Sequence, residues 1–360
     1  MSLRWDPYVP FRVDVEQLLS TATARGRTAY VLGIGFDPRA LVGLRATLEC
    51  RGTGALDVVV LGLPEASHEP DVAALAEANQ QQLSLLADAT PRLGLWHVPL
   101  PDVQEPRSAG LALARQLIKD HGLFGYDTVV VDVSSLPASL FFPVIGAVLE
   151  AARGGAYAGN FQVVACENPK VDAGIHSQGA ADPGPIHGFI HGLTTETTSP
   201  GPVVWAPVIG EQEGAQLDAV HRYLDPDEIC PVLPFPARNP RRADDLILEH
   251  RKLLFDVMQV EPRNFIFADE SNPFDLYRAL CQLHERYAEA LRPLGEASLV
   301  VSVHASKLLS IGALLAAWER KLPVVAAQSS GYLVDHPASL ATLTDDDELA
   351  CLWLEGEPYR

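Results

Sequence analysis

The chain has 360 residues, 48% of them hydrophobic, and 46 acidic against 27 basic side chains give a formal net charge of -19. Such a composition belongs to a globular protein with room for two domain cores, and its charge makes long DNA or RNA an unexpected partner. No apolar run reaches the ~18 residues of a membrane span, MSLRWDPYVPF lacks a signal-peptide core, and Cys50, Cys166, Cys230, Cys281 and Cys351 never form a CxxC pair. A cytoplasmic chain without disulfides or membrane contact is therefore expected.

Residues 1–27 read as an N-terminal arm with a short helix near Val15 to Ala24. Residues 28–166 then alternate strands and helices. Strands are predicted near Ala29 to Ile34, Leu56 to Leu61, Leu93 to Val98, Thr128 to Val133 and Phe161 to Ala165. Helices are predicted over Pro38 to Leu48, Asp71 to Leu86, Ser108 to Lys119 and Ala138 to Ala152. The strands are continuous runs of Val, Leu and Ile, the pattern of a sheet buried on both faces. Residues 167–202 are rich in Gly, Pro, Ser, Thr and His and read as an inter-repeat loop, more mobile than its flanks. Residues 203–360 repeat the alternation. Strands are predicted near Val203 to Pro207, Ile229 to Leu233, Phe265 to Ala268, Ser298 to Val303 and Val324 to Ala327, with helices over Arg241 to Met258, Pro273 to Leu291 and Lys307 to Lys321. Asn272 is a good N-cap ahead of Pro273. The acidic tract Asp345 to Glu348 reads as a solvated turn.

The two halves echo one another. IGAVLEAA at Ile145 to Ala152 returns as IGALLAAW at Ile311 to Trp318, each after a strand-like run, VVVDVSS and LVVSVHAS. PRLGLW from Pro91 matches PRNFIF from Pro262, LGLP ending at Pro64 matches LPFP ending at Pro236, and VLGIGFDPRAL faces PVIGEQEGAQL. The offset stays near ~170 residues, a domain's worth of chain rather than a solenoid repeat. The expected fold class is α/β: two tandem Rossmann-like units with mainly parallel sheets, related by internal duplication as a pseudo-dimer that builds a shared cleft.

In parallel sheets, ligands bind beyond the carboxyl ends of the strands. Gly33, Gly35, Asp37 and Arg39 follow the first strand. GIG is not a full GxGxxG, and a tight turn with Asp37 capping the next helix accounts for it equally. Asp132, Ser134 and Ser135 follow the fourth strand, and Ser302, His304, Ser306 and Lys307 stand at the equivalent place in the second half. Hydroxyls and backbone amides at a helix N-terminus, with a lysine beside them, make either a phosphate seat or an ordinary N-cap.

The stretch SVHASKLLSIGALLAAWERKLPVV resembles the strand–loop–helix–strand signature of CRISPR-associated Rossmann-fold (CARF) sensor domains, in which a small-residue turn and a lysine lead into a helix. DVSSLPASLFFPVIGAVLEAA is similar in degenerate form. Proteins of that family, and of the related SAVED family that fuses two such domains, read cyclic oligonucleotides or cleave them between paired domains. The resemblance covers roughly 25 residues in each half. It implies that Ser306 and Lys307 contact ligand, with His304 replacing a usual Gly or Thr. The first half carries Pro137 where the lysine would fall, so shape and backbone would be its share.

Arg238, Arg241 and Arg242 can grip phosphate or form a surface charge cluster with Asp244 and Asp245. Glu167 in ENP and Glu270 in ESNP each follow a strand, where they can polarise a water or serve local capping. His176, His187 and His191 lie in the loop, but Gly188 argues against a helix across HGFIH, and no metal is expected. GxSxG, HExxH and Walker A motifs are missing from the sequence, and no cofactor is implied.

The leading expectation is a sensor or binding subunit for a nucleotide-type, phosphate-bearing ligand, such as a cyclic oligonucleotide in prokaryotic antiviral defence. It would contact ligand through Gly35, Asp37, Arg39, Asp132, Ser134, Ser135, His304, Ser306 and Lys307, and act on a partner protein subunit. Two alternatives stand beside it. One is a hydrolase, nucleosidase or ring-nuclease-like enzyme with His304, Glu270 and Glu167 as catalytic candidates. The other is a structural subunit of a complex.

Overall fold

Runs such as YVLGI and TVVVD become strands buried on both faces, which requires helices to cover the sheet from either side. In the computed structural model the described residues are all except 1–2, 25, 52–53, 64–69, 104–105, 181, 192–200, 296, 328, 330 and 341–345. The strands are β1 (Arg27–Ile34), β2 (Ala55–Gly62), β3 (Leu93–Val98), β4 (Thr128–Asp132), β5 (Asn160–Glu167), β6 (Ile175–Gln178), β7 (Gly184–Pro185) and β8 (Val203–Val208). They continue as β9 (Glu228–Ile229), β10 (Val232–Pro234), β11 (Ile266–Ala268), β12 (Ser298–Val303), β13 (Val325–Ala326), β14 (Gly331–Val334) and β15 (Glu348–Glu355). The helices are α1 (Val15–Thr23), α2 (Val42–Cys50), α3 (Pro70–Ala89), α4 (Ala109–Lys119), α5 (Ala138–Arg153) and α6 (Pro169–Ala173). After them come α7 (Gly214–Leu224), α8 (Arg242–Glu249), α9 (Pro273–Ala290), α10 (Lys307–Arg320) and α11 (Pro337–Leu340). No helix among the described residues is long and apolar enough to cross a membrane.

The chain divides into two compact α/β units. The first holds Pro7–His176 and Gly331–Arg360, the second Met1–Asp6 and Ser177–Ser330. Order in the first sheet is β15-β5-β4-β1-β2-β3. Its strands are parallel, with Val31 beside both Val59 and Val131, except for β15, which runs antiparallel to β5. Tyr30, Leu32, Leu44, Val58, Val60 and Val130 meet in its core.

Order in the second sheet is β11-β10-β8-β12, with β9 attached to β8. A parallel bridge from Val301 to Val324 sets β13 beside β12, and β7 pairs antiparallel with β13. Trp205, Leu217, Val220, Leu233, Leu246 and Val300 meet in its core. Counted within each unit, both sheets run third–second–first–fourth–fifth and end on an antiparallel strand. The repeated IGA segments occupy the same topological place, in α5 and α10, after the fourth strand. Asp132 ends β4, and Ser302 lies one residue before the end of β12.

Three boundaries differ from the sequence reading. Residues 331–360, expected to finish the second repeat, belong to the first unit, because β15 finds its hydrogen-bond partner in β5 and buries Ala350 to Leu354. The arm expected over 1–27 is divided after Asp6. Trp5 is fully buried against Tyr277 and Trp318 of the second unit, at ring centroids 5.4 and 5.6 Å away, whereas α1 packs in the first. The described part of 167–202 is built rather than structureless. It carries the end of β5, then α6, β6 and β7, and buries Ile186 and Phe189, whose backbones bond to Val324. Residues 181 and 192–200 of that stretch, Pro64 of the LGLP match and Asp345 of the acidic tract lie outside the described residues.

Candidate functional site

In the order third–second–first–fourth–fifth, the connections after the first and fourth strands leave in opposite directions. The switch point therefore lies between β1 and β4 in the first unit and between β8 and β12 in the second.

The first unit fills its switch point with its own polar groups. Asp132 is buried and accepts hydrogen bonds from Tyr30 Oη at 2.7 Å, Ser134 Oγ at 2.5 Å and Ser134 N at 3.0 Å. Ser134 Oγ accepts in turn from Cys166 N at 2.9 Å, and Ser135 Oγ donates to the Gly33 carbonyl at 2.8 Å. Desolvation pushes the Asp132 carboxyl up to about 6 despite three donors that pull the other way. Arg39 is buried and clamps Asp37 through Nε at 3.0 Å and Nη2 at 2.9 Å, while Nη1 donates to Asp172 at 2.6 Å. Asn79 holds the same turn by donating to the Gly35 and Asp37 carbonyls at 2.7 and 2.9 Å. Gly35, Asp37, Arg39, Asp132, Ser134 and Ser135 lie at or just beyond the ends of β1 and β4, and hydrogen-bond to Tyr30, Cys166, Gly33, Asn79 and Asp172 as well as among themselves. Glu167 ends β5 and accepts from Arg12 Nη2 at 3.4 Å.

The second unit differs in kind. Gly210 follows β8 so closely against β12 that a Cβ there would stand 1.7 Å from the His304 carbonyl oxygen. Next to it the sequence GEQEG opens α7. Trp205 Nε1 donates to Ser302 Oγ at 2.9 Å, and Ser302 Oγ lies 3.0 Å from His304 Nε2. Ser302 Oγ can accept from both rings or donate to the imidazole, so which of Ser302 Oγ and His304 Nε2 donates is set by the histidine tautomer. His304 Nδ1 faces Glu213 Oε2 at 3.9 Å. Glu213 Oε1 accepts from Ser177 Oγ at 2.8 Å. Ser306 caps α10 by accepting from Leu309 N, and Lys307 is its first residue.

Glu270, at the end of β11, is held rather than available. Its Oε2 accepts from Arg238 N at 3.0 Å, and Arg242 Nε lies 3.0 Å from Oε1 without the alignment of a hydrogen bond. Arg242 also lies 3.7 Å from Glu211. His187 and His191 flank buried Phe189 beside β13. Among the described residues no group of three or more His, Cys, Asp or Glu could hold a metal ion.

Sequence reasoning passed over Trp205, Gly210, Glu213 and Gln216. Gln216 stands in the first turn of α7, 2% exposed, and neither its Oε1 nor its Nε2 has a hydrogen-bond partner. The signal was present in the match of PVIGEQEGAQL to VLGIGFDPRAL, which marks the turn after a first strand. The helix behind it carries Leu217, Val220 and Leu224 at helical spacing, a second signal in the sequence.

No family model and no curated protein matches this chain. Among solved structures it is similar to S. aureus MnaA in complex with UDP, at 11% identity over 77% of this chain and 74% of that one, with a TM-score of 0.25. UDP-GlcNAc 2-epimerase from Neisseria meningitidis bound to UDP-GlcNAc is similar at 11% identity over 89% and 95%, with a TM-score of 0.23. A functionally unknown protein from Pseudomonas aeruginosa is similar at 11% identity over 91% and 98%, with a TM-score of 0.22. Scores this low carry no argument about ligand or chemistry.

Proposed function

We propose that this chain binds a small phosphate-bearing ligand of the nucleotide class at the carboxyl ends of β8 and β12 in its second unit. One observation carries the reading: the switch point of that sheet brings together the Gly210 turn, Ser306, Lys307 and the N-terminus of a 14-residue helix. A helix N-terminus favours an anion through its dipole, and Lys307 adds a point charge in an otherwise acidic protein. A cyclic oligonucleotide is the member of the class that the CARF-like stretch suggests. On that reading the chain is a sensor that passes occupancy to a partner subunit in antiviral defence.

Titration calorimetry tests this directly. The probes are uridine and adenosine nucleotides together with cyclic and linear oligoadenylates. Lys307→Ala removes one charge-assisted contact and is expected to weaken binding roughly tenfold to hundredfold. Undiminished binding by the variant would put the anion elsewhere, and failure of the parent to bind any probe would end the reading.

A second reading, hydrolysis, rests on the order Ser302 Oγ, His304 Nε2, His304 Nδ1 and Glu213, which is that of nucleophile, base and orienting acid. Ser302 is fully buried within β12 and accepts from Trp205. The order therefore serves to hold His304 more readily than to attack a substrate. Chromatography of the probes after incubation would show turnover if the second reading held.

A further inference from the structure

Residues 1–6 belong to the second unit, whereas the chain from Pro7 onward belongs to the first. The described part of that segment, Leu3 to Asp6, has neither helix nor strand, and its contacts converge on one residue. Trp5 is fully buried, with Tyr277 of α9 edge-on at 5.4 Å and Trp318 of α10 tilted at 5.6 Å. Arg4 and Asp6, on either side of it, are exposed. The Arg4 guanidinium stands 5.9 Å from the Trp5 ring centroid and 5.7 Å from that of Trp318, within cation–π range. Arg4 N donates to Tyr277 Oη at 3.1 Å, and Asp6 faces Arg278 at 3.8 Å. One buried aromatic anchor between rings, rimmed by charged contacts, is the anatomy of a peptide seated on a docking surface. The next anchors lie in the first unit. Val9 N donates to Tyr359 Oη at 3.3 Å, and Phe11, 7% exposed, accepts from Cys351 N at 2.9 Å through its carbonyl. Asp6, Pro7 and Tyr8 form the connection, again without helix or strand.

We propose that the α9–α10 surface around Tyr277 and Trp318 is a docking site for a tryptophan-anchored segment, and that the N-terminal arm of a second copy occupies it, so that two copies exchange residues 1–6. The arm itself argues for that occupant. The sequence Arg-Trp-Asp seated there is one that every copy carries, and its charges match the site, Arg4 against the Trp318 ring and Asp6 against Arg278. Exchange of an identical element keeps the contacts of the closed form and needs only the connection through Pro7 to open. Closure within one chain is intramolecular, with an effective concentration on the order of millimolar, so exchange belongs to concentrated protein.

The test has two arms. In the first, a fluorescein-labelled peptide of residues 1–8 is titrated with a chain that begins at Pro7, and binding is read by fluorescence anisotropy. Saturable binding is expected, weakened roughly tenfold to hundredfold when the peptide carries Trp5→Ala. If the shortened chain does not fold, full-length Trp5→Ala, which leaves the site without its anchor, takes its place. Failure of both chains to fold makes the arm part of the core and overturns the proposal. So does a folded chain that binds no peptide, or that binds the Trp5→Ala peptide equally well. In the second arm, sedimentation velocity compares the parent at roughly 10 µM and roughly 1 mM. The parent is expected to be monomeric at the lower concentration and to show a dimer fraction at the higher one that Trp5→Ala lacks. A parent that stays monomeric throughout, or a dimer fraction that persists in Trp5→Ala, overturns the exchange.

Discussion

Burial holds the Asp132 carboxyl up to about 6 against an ordinary value of 3.8, and the same desolvation, with the charge of Asp132 beside it, raises the Tyr30 phenol well above its usual range. A folded-state value above the unfolded one means that folding takes up a proton. The stability this contributes is fully present below pH 3.8 and is lost as pH rises through about 6. The shift of about two units corresponds to ~3 kcal/mol as an upper bound. Asp132→Asn keeps a polar side chain without the charge. Urea denaturation between pH 4 and 7 is expected to show the parent losing up to about 3 kcal/mol that the variant retains. Gly210 makes a separate residue-scale test. Its absent Cβ admits the His304 carbonyl, so Gly210→Ala must push the ends of β8 and β12 apart. A loss of about 1–3 kcal/mol is expected, measured as a melting-temperature drop of roughly 2–4 °C per kcal/mol.

Most elements were legible because their periodicity is strong. The predicted strand Ser298 to Val303 and the helices from Ala138, Pro273 and Lys307 begin where the sequence placed them. Asn272 does cap α9, through Phe274 N. α7 carries a helical pattern in Leu217, Val220 and Leu224 that was passed over, whereas the place of β15 was not legible because ELACLWLE has no partner that sequence order can supply. Helix pairing adds a device that only coordinates reveal. In α10 a Cβ on Gly312 would stand 2.3 Å from the Pro273 carbonyl of α9, and in α4 one on Gly110 would stand 2.1 Å from the Ser139 carbonyl of α5. The helices that precede and follow the fourth strand of each unit thus approach through a glycine. Gly312→Val should force α9 and α10 apart at a cost of about 1–3 kcal/mol. The affected helices should show faster amide exchange while the first unit stays protected.

At the scale of the whole molecule, the chain crosses between its units after Asp6, His176 and Ser330. The strand β15 lies antiparallel to β5 from Glu167 to Phe161 and buries Cys351, Leu352 and Leu354 completely. Truncation after Ser330 is therefore expected to destabilise the first unit, exposing β5 as an unpaired edge. The second unit, whose sheet uses no residue beyond Val325–Ala326 and whose buried Trp5 comes from the N-terminus, should keep its protection. Limited proteolysis with mass spectrometry would locate the first cuts. Cuts appearing first within 203–320 would contradict this division.

By itself the sequence determined the α/β class, the repetition of the strand–helix plan in two halves, the acidic character and the position of most strands, though not of β6, β7, β14 and β15. Those properties follow from local apolar periodicity and from segments that recur at constant offset. Only the tertiary structure decided which unit each chain end joins, because a strand's partner is chosen by hydrogen bonding and burial at long range. It also decided which strand-end groups are used up. Asp132, Ser134, Asp37 and Arg39 look like ligand contacts in a line of text, but folding brings Tyr30, Cys166, Asn79 and Asp172 against them from up to 133 residues away. The same long-range packing ties His304 to Trp205 and Glu213 and leaves Gln216 buried without a partner.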